Sequence, residues 1–472
     1  MSTTVVGILG LLTIVAIVVT LFKSKTQPAI AFIVWPTVLA LILIISGWIT
    51  GENFSAMIKA GFSSTGPTAA LFVFSVLYFG FMTDAGMFDV IIGKPMKLVG
   101  DNVIGVALVT CIIALVGHLD GGGASTFCIV IPAMLPVFKR MHMRKTSLLR
   151  IAVLAMGVLN LMPWAGPTMR AATVLGIEAG ELWNTLLPIQ IFGVVLAIAH
   201  SVLAGVQEKK RGAGLTGKLA REEGEVVLEE GEQVAAKTSE LARPKLFLFN
   251  ILLTVFVIFL LIWGDGFDLP SYVPFMIGTA VALFVNYGFT AKMHKKIINL
   301  HAGPALMMCS TLMGAAVLMG ILTSNLNADG AVMKVKETMT VAPAVPSVVT
   351  CLANIVAKIL PDFLGQNLPL VIGVLSVPLA LAFDTDSYFY GMLPVIIAIG
   401  QSFGVAALPI AVAMVVCRNC ATFISPMVPA TLLGTGLADV DIKDHIKASF
   451  LYVWVFSILC MIFAVILGIL PL

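Results

Sequence analysis

The sequence predicts an all-α polytopic membrane protein built from an inverted-topology repeat. Of its 472 residues, 59% are hydrophobic and only 11% are charged, which excludes an ordinary soluble globular chain. Two long apolar stretches are interrupted by polar motifs, at 118–126 and 383–388. Each interruption is followed by a segment broken by two prolines, at 163–168 and 425–431. Because hydrocarbon cannot satisfy bare backbone or a carboxylate, such breaks indicate a cavity enclosed by protein.

The basic residues predict how the spans are oriented. Lysine and arginine are enriched in the cytoplasmic loops of membrane proteins. Here they follow the first apolar run (5–22), fill 139–150, and follow the runs that end near 206 and 290. Placing all of them in the cytoplasm leaves the N-terminus outside and makes 103–138 a re-entrant hairpin with Asp120 at its tip. Residues 1–27 then form a retained N-terminal transmembrane helix.

The two halves of the chain resemble each other in the order and spacing of their motifs. The matched pairs are Pro36 with Pro274 (274 − 36 = 238), Asp120 with Asp384 (384 − 120 = 264) and Pro163 with Pro426 (426 − 163 = 263). The offset increases once along the chain, from 238 to about 264. This increase predicts an insertion in the second half, between 320 and 362. The basic residues give the halves opposite orientations, an arrangement typical of transporters with a site near the membrane centre.

These observations predict the domain organisation. The first repeat covers 28–206, with its hairpin at 103–138 and a broken helix at 147–178. The second repeat covers 271–472, with a hairpin at 366–400 and a broken helix at 405–436. Between them lie a cytoplasmic charged linker, 207–245, with eight basic and eight acidic residues, and a linking transmembrane helix, 246–264.

The tips and breaks carry the residue types that bind an anion. Gly121, Gly122 and Gly123 allow a tight reversal, and the helix that follows presents unpaired N–H groups to a negative charge. Arg170 and Arg418 are suited to hold carboxylates through bidentate hydrogen bonds, although pairing with the tip aspartates is the structural alternative. The candidate substrate-binding residues are Ser125, Thr126, Gly166, Thr168, Arg170, Ser387, Arg418, Asn419, Ser425 and Thr431.

The acidic residues at the tips predict that a cation accompanies the anion. Asp120, Asp384 and Asp386 would repel an anion that entered alone. A divalent metal such as magnesium or calcium takes carboxylate and water oxygens, and a proton needs only a carboxylate. His118 is a candidate for a proton relay, and a packed neutral histidine is the alternative. We expect no resident cofactor, because the metal and the proton would travel with the substrate.

At these residues the chain resembles the CitMHS family of citrate–divalent metal:proton symporters, in the ion transporter superfamily. The likeness lies in Leu119–Phe127 of the first hairpin, Asn160–Ala171 of the first break and Ser425–Thr431 of the second. It implies proton-coupled uptake of citrate, or a similar di- or tricarboxylate, bound to a divalent metal. It also implies a homodimer in the plasma membrane whose transport part moves against a scaffold like an elevator.

Two other transport mechanisms stay open on the same scaffold. The first is sodium-coupled symport of a di- or tricarboxylate, and the second is a cation/proton antiporter. An enzyme is not expected, because the sequence lacks HExxH and any histidine-rich cluster. Its partners are therefore expected to be a small polycarboxylate and the lipid bilayer. Nothing resembles a nucleic-acid-binding patch.

Overall fold

The computed structural model describes residues 1–24, 26–88, 90, 102–219, 241–263, 269–333 and 342–471. Within these ranges the regular structure is helical, apart from two isolated β-bridges at Leu326. Nine helices in the same ranges are long and apolar enough to cross a membrane. The predicted class, an all-α multi-pass membrane protein, is confirmed.

The first half contains a long helix pair, a hairpin, a broken helix and another long helix. In chain order the helices are α1 Thr3–Ser24, α2 Pro28–Ile45, α3 Gly51–Asp84, α4 Val103–Gly117, α5 Gly123–Arg140, α6 Lys145–Leu159, α7 Gly166–Leu175 and α8 Ala179–Arg211. Helix α3 begins with a capping box between Thr50 and Asn53. Helix α7 ends at Gly176, whose φ of 68° is left-handed.

The second half repeats this order. Its helices are α9 Phe247–Trp263, α10 Tyr272–Tyr287, α11 Ala291–Thr323, α12 Val348–Val356, α13 Asp362–Gln366, α14 Leu368–Ala380, α15 Leu393–Ser402, α16 Ala407–Ala421, α17 Pro429–Ala438 and α18 Ile442–Ile466. A π-helical segment, Ser387–Met392, leads into α15. Helices α4 and α5 form the first hairpin, and α14 and α15 form the second. Helices α6 and α7 are the two halves of the first broken helix, and α16 and α17 those of the second.

The observed helix ends lie close to most of the predicted boundaries. Helix α12 lies inside the predicted insertion at 320–362. The predicted linker, 207–245, begins too early, because α8 continues to Arg211. Glu208 is fully buried there and pairs with Arg144 and Arg211, so an acidic residue assigned to solvent in fact stabilises the end of the helix. Residues 220–240 of the linker lie outside the described ranges.

Two separate clusters of buried apolar side chains divide the molecule. The larger cluster runs through both hairpins, both broken helices, α8 and α18, and it also includes residues of α3, α9 and α10, such as Tyr78, Val257 and Phe275. The smaller one joins α1, α2, α3, α11 and α12. Tyr390 of the second hairpin packs in the smaller cluster, where its ring meets Phe32 edge-on at 5.8 Å. Helix α3 contributes to both clusters, and the division into a transport part and a scaffold stays a prediction.

Candidate substrate site at the hairpin tips and helix breaks

The first tip is a turn that Asp120 organises with its own carboxylate. Gly121 adopts a left-handed φ of 70°, which favours glycine. The backbone N–H of Gly122 donates to Asp120 Oδ1 at 2.8 Å, and the Ser125 hydroxyl donates to Asp120 Oδ2. The carboxylate is half-buried and is held ready to accept a cation or a proton.

The second tip has the same construction around Asp384. The backbone N–H of Asp386 donates to Asp384 Oδ2 at 3.1 Å, and that of Ser387 donates to Oδ1 at 3.3 Å. Gly122 and Asp386 are equivalent under the predicted offset, since 386 − 122 = 264. The two tips are therefore related by their hydrogen bonds as well as by their sequence.

Each tip is also held by a donor from the broken helix of its own repeat. Trp164 Nε1 donates to the carbonyl of Leu119 at 2.8 Å. Arg418 Nη2 donates to the carbonyl of Phe383 at 3.1 Å. Leu119 and Phe383 directly precede the tip aspartates, and their numbers also differ by 264 (383 − 119). The two broken helices thus position the two aspartates through equivalent carbonyls.

Each tip also contacts the broken helix of the other repeat. At the first tip, Gly123 lies so close to the ring of Phe423 that a Cβ at this position would overlap it. At the second tip, Asp386 Oδ1 pairs with Arg170 Nε at 2.6 Å. The site is therefore built jointly by both repeats, as the inverted repeat predicts.

Arg170 depends on the glycine one turn earlier. A Cβ on Gly166 would overlap Arg170 Nη1, so only glycine leaves room for the guanidinium. Arg170 pairs with Asp386, so the alternative role of this arginine, an ion pair with a tip aspartate, is present in the structure. Arg170 Nη2 lies 3.8 Å from Met308 Sδ. Arg170 and Tyr390 line the same small cavity.

Arg418 and Asn419 carry buried polar atoms that nothing satisfies within the described residues. Both side chains are fully buried, and the unsatisfied atoms are Arg418 Nε and Asn419 Oδ1. Arg418 has its guanidinium 5.6 Å above the ring of Tyr388, whereas Asn419 Nδ2 donates to the carbonyl of Asn160 at 3.1 Å. Unsatisfied buried polar atoms are uncommon and mark places where a ligand group can bind.

Four of the predicted hydroxyl ligands already donate to backbone carbonyls. The bonds are Thr126 to Gly122 at 2.7 Å, Thr168 to Leu161 at 3.1 Å, Ser425 to Ala380 at 2.5 Å and Thr431 to Thr422 at 3.5 Å. In this structure these side chains stabilise the tips and breaks. Direct binding of substrate by these hydroxyls stays a prediction that requires them to exchange partners.

His118 is fully buried. Its Nδ1 bonds Thr126 Oγ1 at 2.7 Å, and its ring packs edge-on against Phe423 at 5.2 Å. This environment matches the packed histidine that we considered as the alternative, and the proton relay stays a prediction. In the described part of the chain, no three His, Cys, Asp or Glu side chains gather as a metal cluster.

Sequence reasoning missed three aromatic residues of the site. Trp164 holds the first tip, Tyr388 lies under Arg418, and Tyr390 is one residue through which the second hairpin contacts the smaller apolar cluster. The offset of 264 could have pointed to the carbonyls of Leu119 and Phe383. It could not have identified their donors, a tryptophan in one repeat and an arginine in the other.

Comparison with known proteins decides the family. A family model described as citrate transporter (CitMHS) matches residues 1–417. The chain belongs to the CitMHS citrate transporter family. As a CitMHS member it is a transporter rather than an enzyme, and the expectation of a multi-pass protein of the cell membrane is confirmed.

Two curated CitMHS relatives come from Bacillus subtilis (strain 168). The chain is 32% identical over 463 residues to a citrate transporter, covering 98% of this chain and 99% of the relative. It is 30% identical over 444 residues to a Mg(2+)/citrate complex secondary transporter, covering 93% of each. Among solved structures, the Alcanivorax borkumensis YdaH transporter matches with a TM-score of 0.62 at 14% identity, over 94% of this chain and 99% of that one. The last match concerns the fold alone.

Proposed function

We propose that this protein is a proton-coupled symporter that takes up citrate as a complex with a divalent metal ion. The observation that carries the proposal is the acidic second tip, where Arg170 pairs with Asp386 and Arg418 donates to the carbonyl that precedes Asp384. Arginine suits a carboxylate substrate, and aspartate suits a hard dication. The relative named as a Mg(2+)/citrate complex transporter supports the same pairing of cargo.

The charges at the site favour a complex over free citrate. The two tips carry three aspartates and the two broken helices carry two arginines, so these side chains alone leave an excess of one negative charge. A free citrate trianion would add to this excess in a partly dehydrated site, where like charges repel strongly. A bound dication removes most of that charge, and the metal can then bridge the citrate and a tip carboxylate.

The two tip carboxylates have different surroundings, which suggests a division of roles. Asp386 is neutralised by Arg170. Asp384 is therefore the carboxylate of the second tip that no basic side chain pairs with among the described residues. Asp120 accepts from the Ser125 hydroxyl as well as from backbone. We propose that Asp384 contacts the metal and that Asp120 exchanges the coupled proton.

The test is uptake of labelled citrate by the purified protein in lipid vesicles. Magnesium, calcium, sodium and an inward pH gradient would each be added and omitted in turn. The proposal predicts uptake that requires a divalent metal and rises with the pH gradient. Uptake that needs neither would refute it, and uptake that follows sodium would establish the sodium-coupled alternative.

A second arm of the test separates symport from cation/proton antiport. Arg418 has no part in binding a bare cation, whereas a citrate carboxylate needs such a donor. Arg418→Ala is therefore expected to abolish citrate uptake. If the protein is an antiporter, the same variant will retain metal-driven proton movement, measured with a pH-sensitive dye inside the vesicles.

Elevator-like motion and a homodimer complete the proposal. The two separate apolar clusters support motion of one part against the other, and the rings of Tyr390 and Phe32 lie at the contact between them. A short bifunctional thiol reagent that bridges cysteines placed at 32 and 390 should arrest uptake. Light scattering of the solubilised protein should give the mass of two chains, and the mass of one chain would exclude the dimer.

A further inference from the structure

A groove between α8 and α18 shares no lining residue with the tips or the breaks and has no role in the proposed transport reaction. Its volume is about 440 Å³. Leu196, Ala199, His200 and Leu203 line it from α8, and Leu451, Tyr452, Val455, Phe456 and Leu459 line it from α18. Leu203 and Leu451 are 49% and 63% exposed. In a membrane-spanning protein, such a groove opens onto lipid rather than water.

The apolar part of the groove is about one leaflet long. Leu451 and Leu459 are eight residues apart on α18, which is ~12 Å at 1.5 Å per residue. Half of the hydrocarbon thickness of a bilayer is ~15 Å. The groove therefore matches the length of an acyl chain within a single leaflet.

Positive charge is concentrated at the cytoplasmic end of the groove. Lys210 follows Leu203 by two helical turns, and Lys447 precedes Leu451 by about one turn, so both exposed lysines continue the lined faces. Between them, Arg150 lies with its guanidinium 4.0 Å above the ring of Tyr452. The exposed Asp444 lies one turn beyond Lys447 on the same helix face. With Lys210, Lys447 and Arg150 against this one carboxylate, the groove is apolar in its depth and cationic on balance at the membrane surface.

Arg150 is a buried cation without a carboxylate contact among the described residues. Its side chain is 5% exposed, its Nη2 bonds the neutral amide of Gln207 at 3.0 Å, and its Nε has no partner there. A buried cation is costly unless an anion lies near it. Glu208, a carboxylate that acts on Arg150, already pairs with Arg144 and Arg211. Inside the groove, His200 Nε2 is also buried and unsatisfied within the described residues.

We propose that this groove binds an anionic phospholipid from the cytoplasmic leaflet. The phosphate lies between Lys210 and Lys447 and neutralises the field of Arg150, and one acyl chain fills the apolar groove. His200 Nε2 lies about two turns below Gln207, or ~10 Å, at the depth of the glycerol esters, and can donate to an ester carbonyl. Basic pockets between membrane helices on the cytoplasmic side are suited to such headgroups.

The test is the thermal stability of the purified protein after delipidation, with phosphatidylglycerol or phosphatidylcholine returned in mixed micelles. Because a ligand that binds the folded state raises Tm, phosphatidylglycerol should raise Tm clearly more than phosphatidylcholine does. The double variant Lys210→Gln/Lys447→Gln should lose most of that difference. The control Lys292→Gln/Lys295→Gln removes two exposed lysines of α11 and should keep it.

A third variant tests the groove itself. Ala199→Trp places a bulky ring among the lining residues and should abolish the phosphatidylglycerol effect without removing a charge. Equal effects of the two lipids on the wild-type protein would overturn the proposal. So would a full phosphatidylglycerol effect in both the double variant and Ala199→Trp. A change in oligomeric mass caused by Ala199→Trp would instead assign the groove to a second copy of the chain.

Discussion

Arg170 Nε and Asp386 Oδ1 lie 2.6 Å apart and join the first broken helix to the tip of the second hairpin. The side chains are only 7% and 13% exposed, so the pair is largely withdrawn from water. The two residues are 216 positions apart in the chain. This pair therefore ties the two repeats together at the candidate site.

Removing one member of the Arg170–Asp386 pair should destabilise the protein more than removing both. Arg170→Gln or Asp386→Asn leaves a buried charge unpaired, which costs about 3–5 kcal/mol. The double variant removes both charges and should recover most of the lost stability. Thermal unfolding in detergent measures this, and losses that simply add in the double variant would contradict the pairing.

Gly166→Ala should abolish citrate uptake while the protein stays folded. The new methyl group would displace the flexible end of Arg170 rather than backbone, so the ion pair with Asp386 is disturbed with little general damage. Gly436→Ala is the matched control, because it lies in the equivalent half-helix α17 and its Cβ would meet nothing within 4 Å. If the two variants transport equally well, the geometry around Arg170 does not matter for uptake.

Asp120→Asn and Asp384→Asn should each remove the charge of a tip carboxylate while the protein stays folded. An asparagine oxygen still accepts the backbone N–H two residues ahead, so each tip keeps its turn. Asp384→Asn should nevertheless remove metal-stimulated uptake, and Asp120→Asn should remove the response of uptake to the pH gradient. The stability of both should stay within about 1 kcal/mol of the wild type, as for substitutions that preserve local contacts. Asp120→Ala should also lower Tm. Full metal stimulation in Asp384→Asn, or a full response to the pH gradient in Asp120→Asn, would exclude that carboxylate from its assigned role.

Glu208→Gln should lower Tm much more than Asp439→Asn. Glu208 is fully buried and accepts from Arg144 Nε at 2.6 Å and from the Ser147 hydroxyl at 2.6 Å. Asp439 pairs with Lys145 at 2.8 Å, but its side chain is 91% exposed, and exposed pairs contribute little. Thermal unfolding of the two variants side by side provides the comparison. Equal losses would mean that burial does not distinguish the two pairs.

The sequence was sufficient to predict the hairpins and the breaks. Polar or proline-broken backbone inside an apolar stretch has few structural solutions in hydrocarbon. The positions of Asp120 and Asp384 followed from this constraint, as did the equivalence of the two halves. These features depend on local residue types, which the sequence states directly.

The partners of the site residues could not be predicted in the same way. The sequence does not say which aspartate Arg170 meets, because the contact depends on how two distant elements approach each other. For the same reason Thr168 and Ser425 were assigned to substrate, although they bond carbonyls. Glu208 was assigned to solvent because Arg144 and Ser147, which bond its carboxylate, lie more than sixty positions away in the chain.

Binding of citrate with magnesium to the purified protein tests the central claim most directly. Thermal unfolding would be followed for the wild type and for Arg418→Gln, with citrate alone, magnesium alone and both together. We predict that citrate and magnesium together raise the Tm of the wild type beyond the sum of their separate effects, and that Arg418→Gln loses this increase. An equal increase in both proteins, or none in the wild type, would contradict a metal–citrate site at the paired tips and breaks.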